Sequence, residues 1–194
     1  MSAVERNEEL RTAWRQQAKA WKAEDLVFLD ESGCNTCLHR LFGRSPKGTR
    51  CSGAVPRNWK HNTTILGALN CGEICWQAMT LTGACDREAF EVFIETILLP
   101  TLRPGQIVIL DNLSVHKSAK AKALVEAAGC QWVFLPPYSP DFNPIEMMWS
   151  KVKAWLRKQA ARTQDALELA ITQALFRVSS HDAKGWFAHA GYKI

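Results

Sequence analysis

Three acids in this chain stand where carboxylates can act together. Asp30 closes the apolar run LVFLD, Asp111 closes IVILD, and Glu146 opens a helix-like segment after the proline-rich stretch PPYSPDFNP. If the two apolar runs are neighbouring parallel strands, Asp30 and Asp111 leave the same edge of a sheet, about 4.8 Å apart at the backbone. Ligands of open α/β sheets gather at that carboxyl edge. Two carboxylates so placed repel one another unless a cation neutralises them. Hard divalent ions about 3.5 to 4 Å apart suit such oxygen ligands, and magnesium is the expected one. No closely spaced His and Cys set offers the ligands of a zinc hydrolase.

Other residues carry two readings each. Asn143 in N-cap position makes Glu146 the third helical residue, where a glutamate also caps the chain. Against that, the face continuing from Glu146 reads Ser150, Lys153 and Arg157, an acid followed by polar and basic groups suited to a metal centre with a nucleic-acid backbone running past it. His116, five positions after Asp111, either approaches a scissile phosphate or orders its loop, and Lys117 is alike. Between Ser32 and Cys71 there is no acid, while Arg40, Arg44, Lys47, Arg50, Arg57 and Lys60 are basic. This block either meets phosphates or is a solvated loop. Trp59 within it stacks on a base or packs in the loop. Cys34 and Cys37 invite a zinc reading, but Cys71 and Cys75 have the wrong spacing to complete it.

The elements that must position these groups are legible from pattern. LVFLD, IVILD and WVFLP (Trp132–Pro136) are apolar without alternation, as strands covered on both faces are. Leu38–Gly43, TTILGALN from Thr63 and ICWQAMTLTG predict an antiparallel meander with turns at 45–48 and 71–72. Asp86 is placed to cap a helix ending before Pro100, and Ser118 to cap one ending before Gly129. A strand, a short helix and a strand imply a parallel crossover, right-handed in nearly every known case. Asn143 caps a further helix, with Pro144 at its first position and an apolar stripe of Ile145, Met148, Trp149, Val152 and Leu156. Thr163–Val178 reads as another helix. Residues 4–22 predict a lead-in helix with Leu10, Trp14 and Trp21 inward; beyond Ser179 only Trp186 and Phe187 stand out, as docking residues. The fold class is α/β: a mixed sheet of antiparallel meander and parallel crossovers, flanked by helices.

With 194 residues and 47% apolar content the chain suits one domain. No run approaches a membrane helix and the charged first residues do not form a signal peptide, so a cytoplasmic protein is expected. Seven cysteines without an export signal read as reduced thiols.

Together, LVFLDESG (26–33), ILDNLSVHKS (109–118) and LPPYSPDFNPIEMMWSKVK (135–153) resemble the catalytic domain of the DDE transposases, in particular bacterial insertion-sequence relatives of the mariner elements. The 34 residues between Asp111 and Glu146 match that family's spacing, and FGRSPKGTR and RNWKHNTTILGAL share its character. The resemblance implies a ribonuclease-H-like catalytic domain over 25–194 behind a lead-in of 1–24. It implies that Asp30, Asp111 and Glu146 hold two Mg²⁺ ions, with Mn²⁺ as a substitute, for in-line phosphoryl transfer on DNA. Glu31 is not expected among the ligands, because strand alternation turns it to the opposite face. The implied partners are double-stranded DNA, as terminal inverted repeats and as target, and a second copy of the chain. Full-length relatives carry helix-turn-helix modules in front; with about 25 residues before Asp30, the chain reads as the downstream product of a split reading frame, a truncated remnant, or the partner of a separately encoded DNA-binding subunit, in a nucleoid-associated bacterial setting.

Overall fold

The computed structural model describes residues 6–57 and 61–194. Its centre is a five-stranded sheet of order β3-β2-β1-β4-β5, with β1 Leu26–Cys34, β2 Thr63–Leu69, β3 Trp76–Thr82, β4 Ile107–Leu110 and β5 Gln131–Phe134. β1 pairs antiparallel with β2 and β2 with β3, whereas β1–β4 and β4–β5 are parallel. The mixed sheet expected from the sequence is thus present, with a ribonuclease-H-like arrangement of strands and flanking helices.

The unalternating apolar runs are explained by the two layers they face. Leu26, Phe28, Ile107 and Ile109 belong to a core built with α4 (Ile145–Gln159), α5 (Gln164–Leu175) and α6 (Ser180–His189). Val27, Leu29, Val108 and Leu110 face the other way, onto α2 (Arg87–Phe93) and α3 (Ala119–Ala127). A strand buried on both sides needs apolar residues at every position. Ser118 caps α3 through the Ala121 N–H, and Gly129, at φ 76°, supplies the left-handed turn that returns the chain to β5.

Several local expectations are corrected. Leu38–Gly43 is not a strand: none of the described strands pairs with it, and Leu41 and Phe42 are exposed. The turn beyond it is present as Pro46–Thr49, closed by the Thr49 N–H on the Pro46 carbonyl. The helix capped by Asp86 runs into a π-turn at Ile94–Leu98 and a 3₁₀ turn that contains Pro100. In the lead-in helix α1 (Glu8–Ala18), Trp14 is buried as expected, but Leu10 is exposed and Arg11 is fully buried. The segment after Ser179 is the helix α6, with a capping box between Ser179 and Asp182; Phe187 docks from it against Phe28 and Trp186 packs against the same core.

One close approach fixes where α4 lies. Gly67 of β2 sits opposite Asp30 of β1, and a Cβ there would come within 2.7 Å of Trp149 Cη2. The missing side chain lets the indole rest directly on the sheet. Because Glu146 precedes Trp149 by one helical turn, this contact also sets how near the start of α4 comes to the carboxyl ends of β1 and β4.

Candidate active site

The last paired positions of β1 and β4 are Leu29 and Leu110, so Asp30 and Asp111 follow side by side at the centre of the sheet. Asp30 is buried, and its Oδ1 accepts the Glu31 N–H at 2.8 Å. Burial, followed by the negative charges of Glu146 and Asp111, outweighs that bond and pushes its carboxyl up to about 7. Asp30 is therefore a carboxylate held where its charge is poorly solvated.

Asp111 is held differently. Its Oδ1 accepts the Leu113 N–H at 2.9 Å and lies 2.7 Å from His116 Nδ1. Burial alone would raise this carboxyl, but those two donors outweigh it and keep it below its ordinary value. His116 is completely buried, packed on Phe90 with ring centroids 5.0 Å apart. Its Nε2 is 2.9 Å from Glu31 Oε2, close enough for charge attraction although not aligned as a hydrogen bond. Burial favours a neutral imidazole, yet the hydrogen bond to Asp111 and the negative charges of Glu31 and Asp111 win and raise its pKa to about 9. Glu31 faces away from Asp30, as strand alternation requires, and serves the site from behind through His116.

Glu146 is exposed in the first turn of α4 and lines one cleft of about 400 Å³ together with Asp30, Asp111, Asn112 and Asn143. The capping reading of this turn is not realised. The Asn143 N–H donates to the Pro140 carbonyl, and its side-chain Nδ2 reaches Asp30 Oδ2 at 3.5 Å instead of capping α4. The proline-rich turn forms the opposite wall of the cleft, with Tyr138 in a left-handed conformation at φ 53°. Arg11 of α1 braces that turn from behind. Its guanidinium makes paired bonds to Asp141 at 2.9 and 2.5 Å and stacks over Phe142 at 4.1 Å.

The donor set fits a hard cation. All three acids offer oxygen, Asp30 is destabilised as a bare charge, and the buried Asn143 Oδ1 beside it has no hydrogen-bond partner. Among the described residues no group of three His, Cys, Asp or Glu side chains is arranged as it stands to hold a metal ion. Of the two cysteines weighed for zinc, Cys34 is buried with its thiol on the Thr63 carbonyl and Cys37 is half-buried.

Of the residues expected to meet DNA, Arg44, Lys47, Arg50 and Arg57 are exposed on the irregular arm between β1 and β2, and Lys117 is exposed beside the cleft. Lys153 and Arg157 are half-buried along α4. Trp59 and Lys60 lie outside the described residues. His116 is corrected: with no exposed surface it cannot touch DNA, and it belongs to the structure behind Asp111. Sequence reasoning missed Arg11, Asn143 and the Glu31–His116 link as parts of the site. Each depends on a partner distant in the chain, and only the S/T/D/N rule drew attention to Asn143, for a different role. Among the described residues no helix is long and apolar enough to cross a membrane.

Comparison with known proteins points the same way. The transposable element Tcb2 transposase of Caenorhabditis briggsae is 27% identical over 173 residues, which cover 80% of this chain and 62% of the relative. A Mos1 transposase paired-end complex with left transposon end superposes with a TM-score of 0.68 at 13% identity, covering 98% of this chain and 60% of that one. The Mos1 mariner paired-end complex with Mn gives 0.66 at 13% identity, over 98% of this chain and 61% of that one. The chain thus spans about three fifths of the length of the relatives it matches. Residues 25–168, which include all three acids, match the DDE superfamily endonuclease family, and to that family the chain belongs.

Proposed function

We propose that this chain is the catalytic part of a transposase, which cleaves DNA at the ends of a mobile element and joins the freed ends to target DNA. Residues 25–194 form its catalytic domain, and the lead-in helix serves as a brace. The observation that carries the reading is the emergence of Asp30 and Asp111 side by side from parallel β1 and β4, with Glu146 across the same cleft. Family membership and the likeness to solved transposases bound to transposon ends support it.

Asp30, Asp111 and Glu146 would hold two Mg²⁺ ions, for which Mn²⁺ substitutes. Held there, such ions would supply activation of a water or DNA 3′-hydroxyl and stabilisation of the leaving oxygen for an in-line displacement. The chain's own residues do the positioning. His116 and the Leu113 N–H occupy one oxygen of Asp111 and leave the other open to the cleft. Asn143 sits against Asp30, and the braced proline turn shapes the far wall. The exposed basic side chains Arg44, Lys47, Arg50, Arg57 and Lys117, with Lys153 and Arg157 on α4, suit a phosphate backbone. A transposon has two ends, so a homodimer is the expected working form, with a DNA-binding module in the same or a separately encoded chain selecting the inverted repeats.

The test is nicking of supercoiled plasmid at low salt with Mg²⁺ or Mn²⁺, beside Asp111→Asn. Metal-dependent nicking by the wild type and its loss in a folded Asp111→Asn is the expected result. Equal nicking by both proteins would overturn the site assignment. Joining of a labelled 3′-hydroxyl end to target DNA then separates a transposase from a simple nuclease.

A further inference from the structure

The imidazole of His116 is shared by two carboxylates that face opposite sides of the sheet. Nδ1 lies 2.7 Å from Asp111 Oδ1 and Nε2 lies 2.9 Å from Glu31 Oε2. The ring has no exposed surface, and its loop is fixed by the His116 N–H on the Leu113 carbonyl and by the Lys117 N–H on the Ser114 carbonyl. Asp111 Oδ1 also accepts the Leu113 N–H. Two donors therefore converge on one oxygen of Asp111, while none of the described residues donates a hydrogen bond to Oδ2. A carboxylate held by one oxygen cannot rotate freely, and it presents the other in a fixed direction.

We propose that His116, backed by Glu31, is a positioning residue that holds Asp111 so that its free oxygen is aimed at a cation in the cleft. The inference rests on the metal-dependent reading of the site. Buried as it is, His116 has no surface to offer DNA, so its influence on a cation passes chiefly through Asp111, the cleft acid it bonds. Hydrogen-bonding partners behind metal ligands commonly set affinity by about 10- to 100-fold. The negative charge of Glu31, 2.9 Å from Nε2, favours the ring orientation that keeps Nδ1 on Asp111.

The two ring nitrogens can be removed separately. The amide nitrogen of asparagine occupies about the place of Nδ1, and that of glutamine about the place of Nε2. His116→Asn therefore keeps the bond to Asp111, and His116→Gln keeps the contact to Glu31. Free Mn²⁺ measured by electron paramagnetic resonance during titration of each protein gives binding without any need for turnover. The expected result is wild-type-like binding, within a few-fold, for His116→Asn and a 10- to 100-fold loss for His116→Gln. Nicking by His116→Gln should recover as Mn²⁺ is raised, read well below the melting temperature of the metal-free variant, where its folded fraction is already complete. Binding by His116→Gln equal to wild type would overturn this inference alone, as would equal losses in both variants that track their melting temperatures. If the wild type bound no Mn²⁺, the metal-dependent function itself would fall, and this inference with it.

Discussion

Replacing Asp30 by asparagine should stabilise the metal-free protein, by an amount that depends on pH. The carboxyl is buried and stands at about 7 rather than its ordinary 3.8, chiefly because burial penalises the charge. In that interval the folded state keeps a proton that the unfolded state has released. Wild-type stability therefore falls as pH rises from about 4 to about 7 and levels off above. At pH 8 the full penalty is about 4 kcal/mol, and the share that develops between pH 5 and pH 8 is about 3 kcal/mol. Asparagine removes it at little structural cost, since its carbonyl can still accept the Glu31 N–H and its amide can face the orphaned Asn143 Oδ1 once that amide turns over. The assay is urea and thermal denaturation in EDTA at both pH values. For a chain of this length, about 3 kcal/mol corresponds to roughly 6 to 12 °C in melting temperature. Added Mn²⁺ should then reverse the order, stabilising the wild type more than the variant. A variant no more stable than wild type at pH 8, or one with the same advantage at both pH values, would refute the reasoning.

Two further outcomes follow from the packing around the site. Gly67→Ala places a methyl 2.7 Å from Trp149 Cη2, and the indole is locked in the core, so a loss of about 1 to 3 kcal/mol in denaturation is expected. Because α4 must move to accommodate it, plasmid nicking should fall by more than the folded fraction accounts for. Asp141→Ala leaves the buried Arg11 guanidinium without its paired acceptor. Solvent reaches the aspartate, so the cost should be about 1 to 3 kcal/mol rather than that of a fully buried pair. The hydrogen bond from Arg11 holds the Asp141 carboxyl below its ordinary value. Its stabilisation should thus be complete at neutral pH and fade as acid titrates the folded protein, whereas the alanine variant should lack that component in a pH series of melts.

What could be read from the sequence was whatever a short window decides. Four apolar residues in a row before Asp30 and Asp111 announce strands covered on both faces, and the stripe of α4 from Ile145 to Leu156 is buried as its spacing requires. What could not be read was decided by partners far along the chain. Arg11 is buried because Asp141, 130 residues later, offers it both oxygens. Asn143 has the composition of a cap, but Asp30 takes its side chain. Leu38–Gly43 has strand-like composition and no strand to pair with. The helix α6 was legible in principle, since Ser179 and Asp182 form the S-x-x-D pattern of a capping box. The three acids stood out because each marks the end of an element, while His116 was ambiguous because sequence distance from Asp111 does not say on which side of the sheet a ring will lie.

The order of strands has a consequence for the chain's life before it is finished. β1 is made early, yet its partner β4 follows only after the whole meander and α2, and Glu146 follows β5. Pairing at the centre of the sheet is therefore among the long-range, slow steps of folding. A ribosome-bound or broken chain ending anywhere before α4 holds at most two of the three acids. Such a chain lacks Glu146 and cannot assemble the cleft, so the proposed DNA cleavage would have to wait until α4 has packed on the finished sheet.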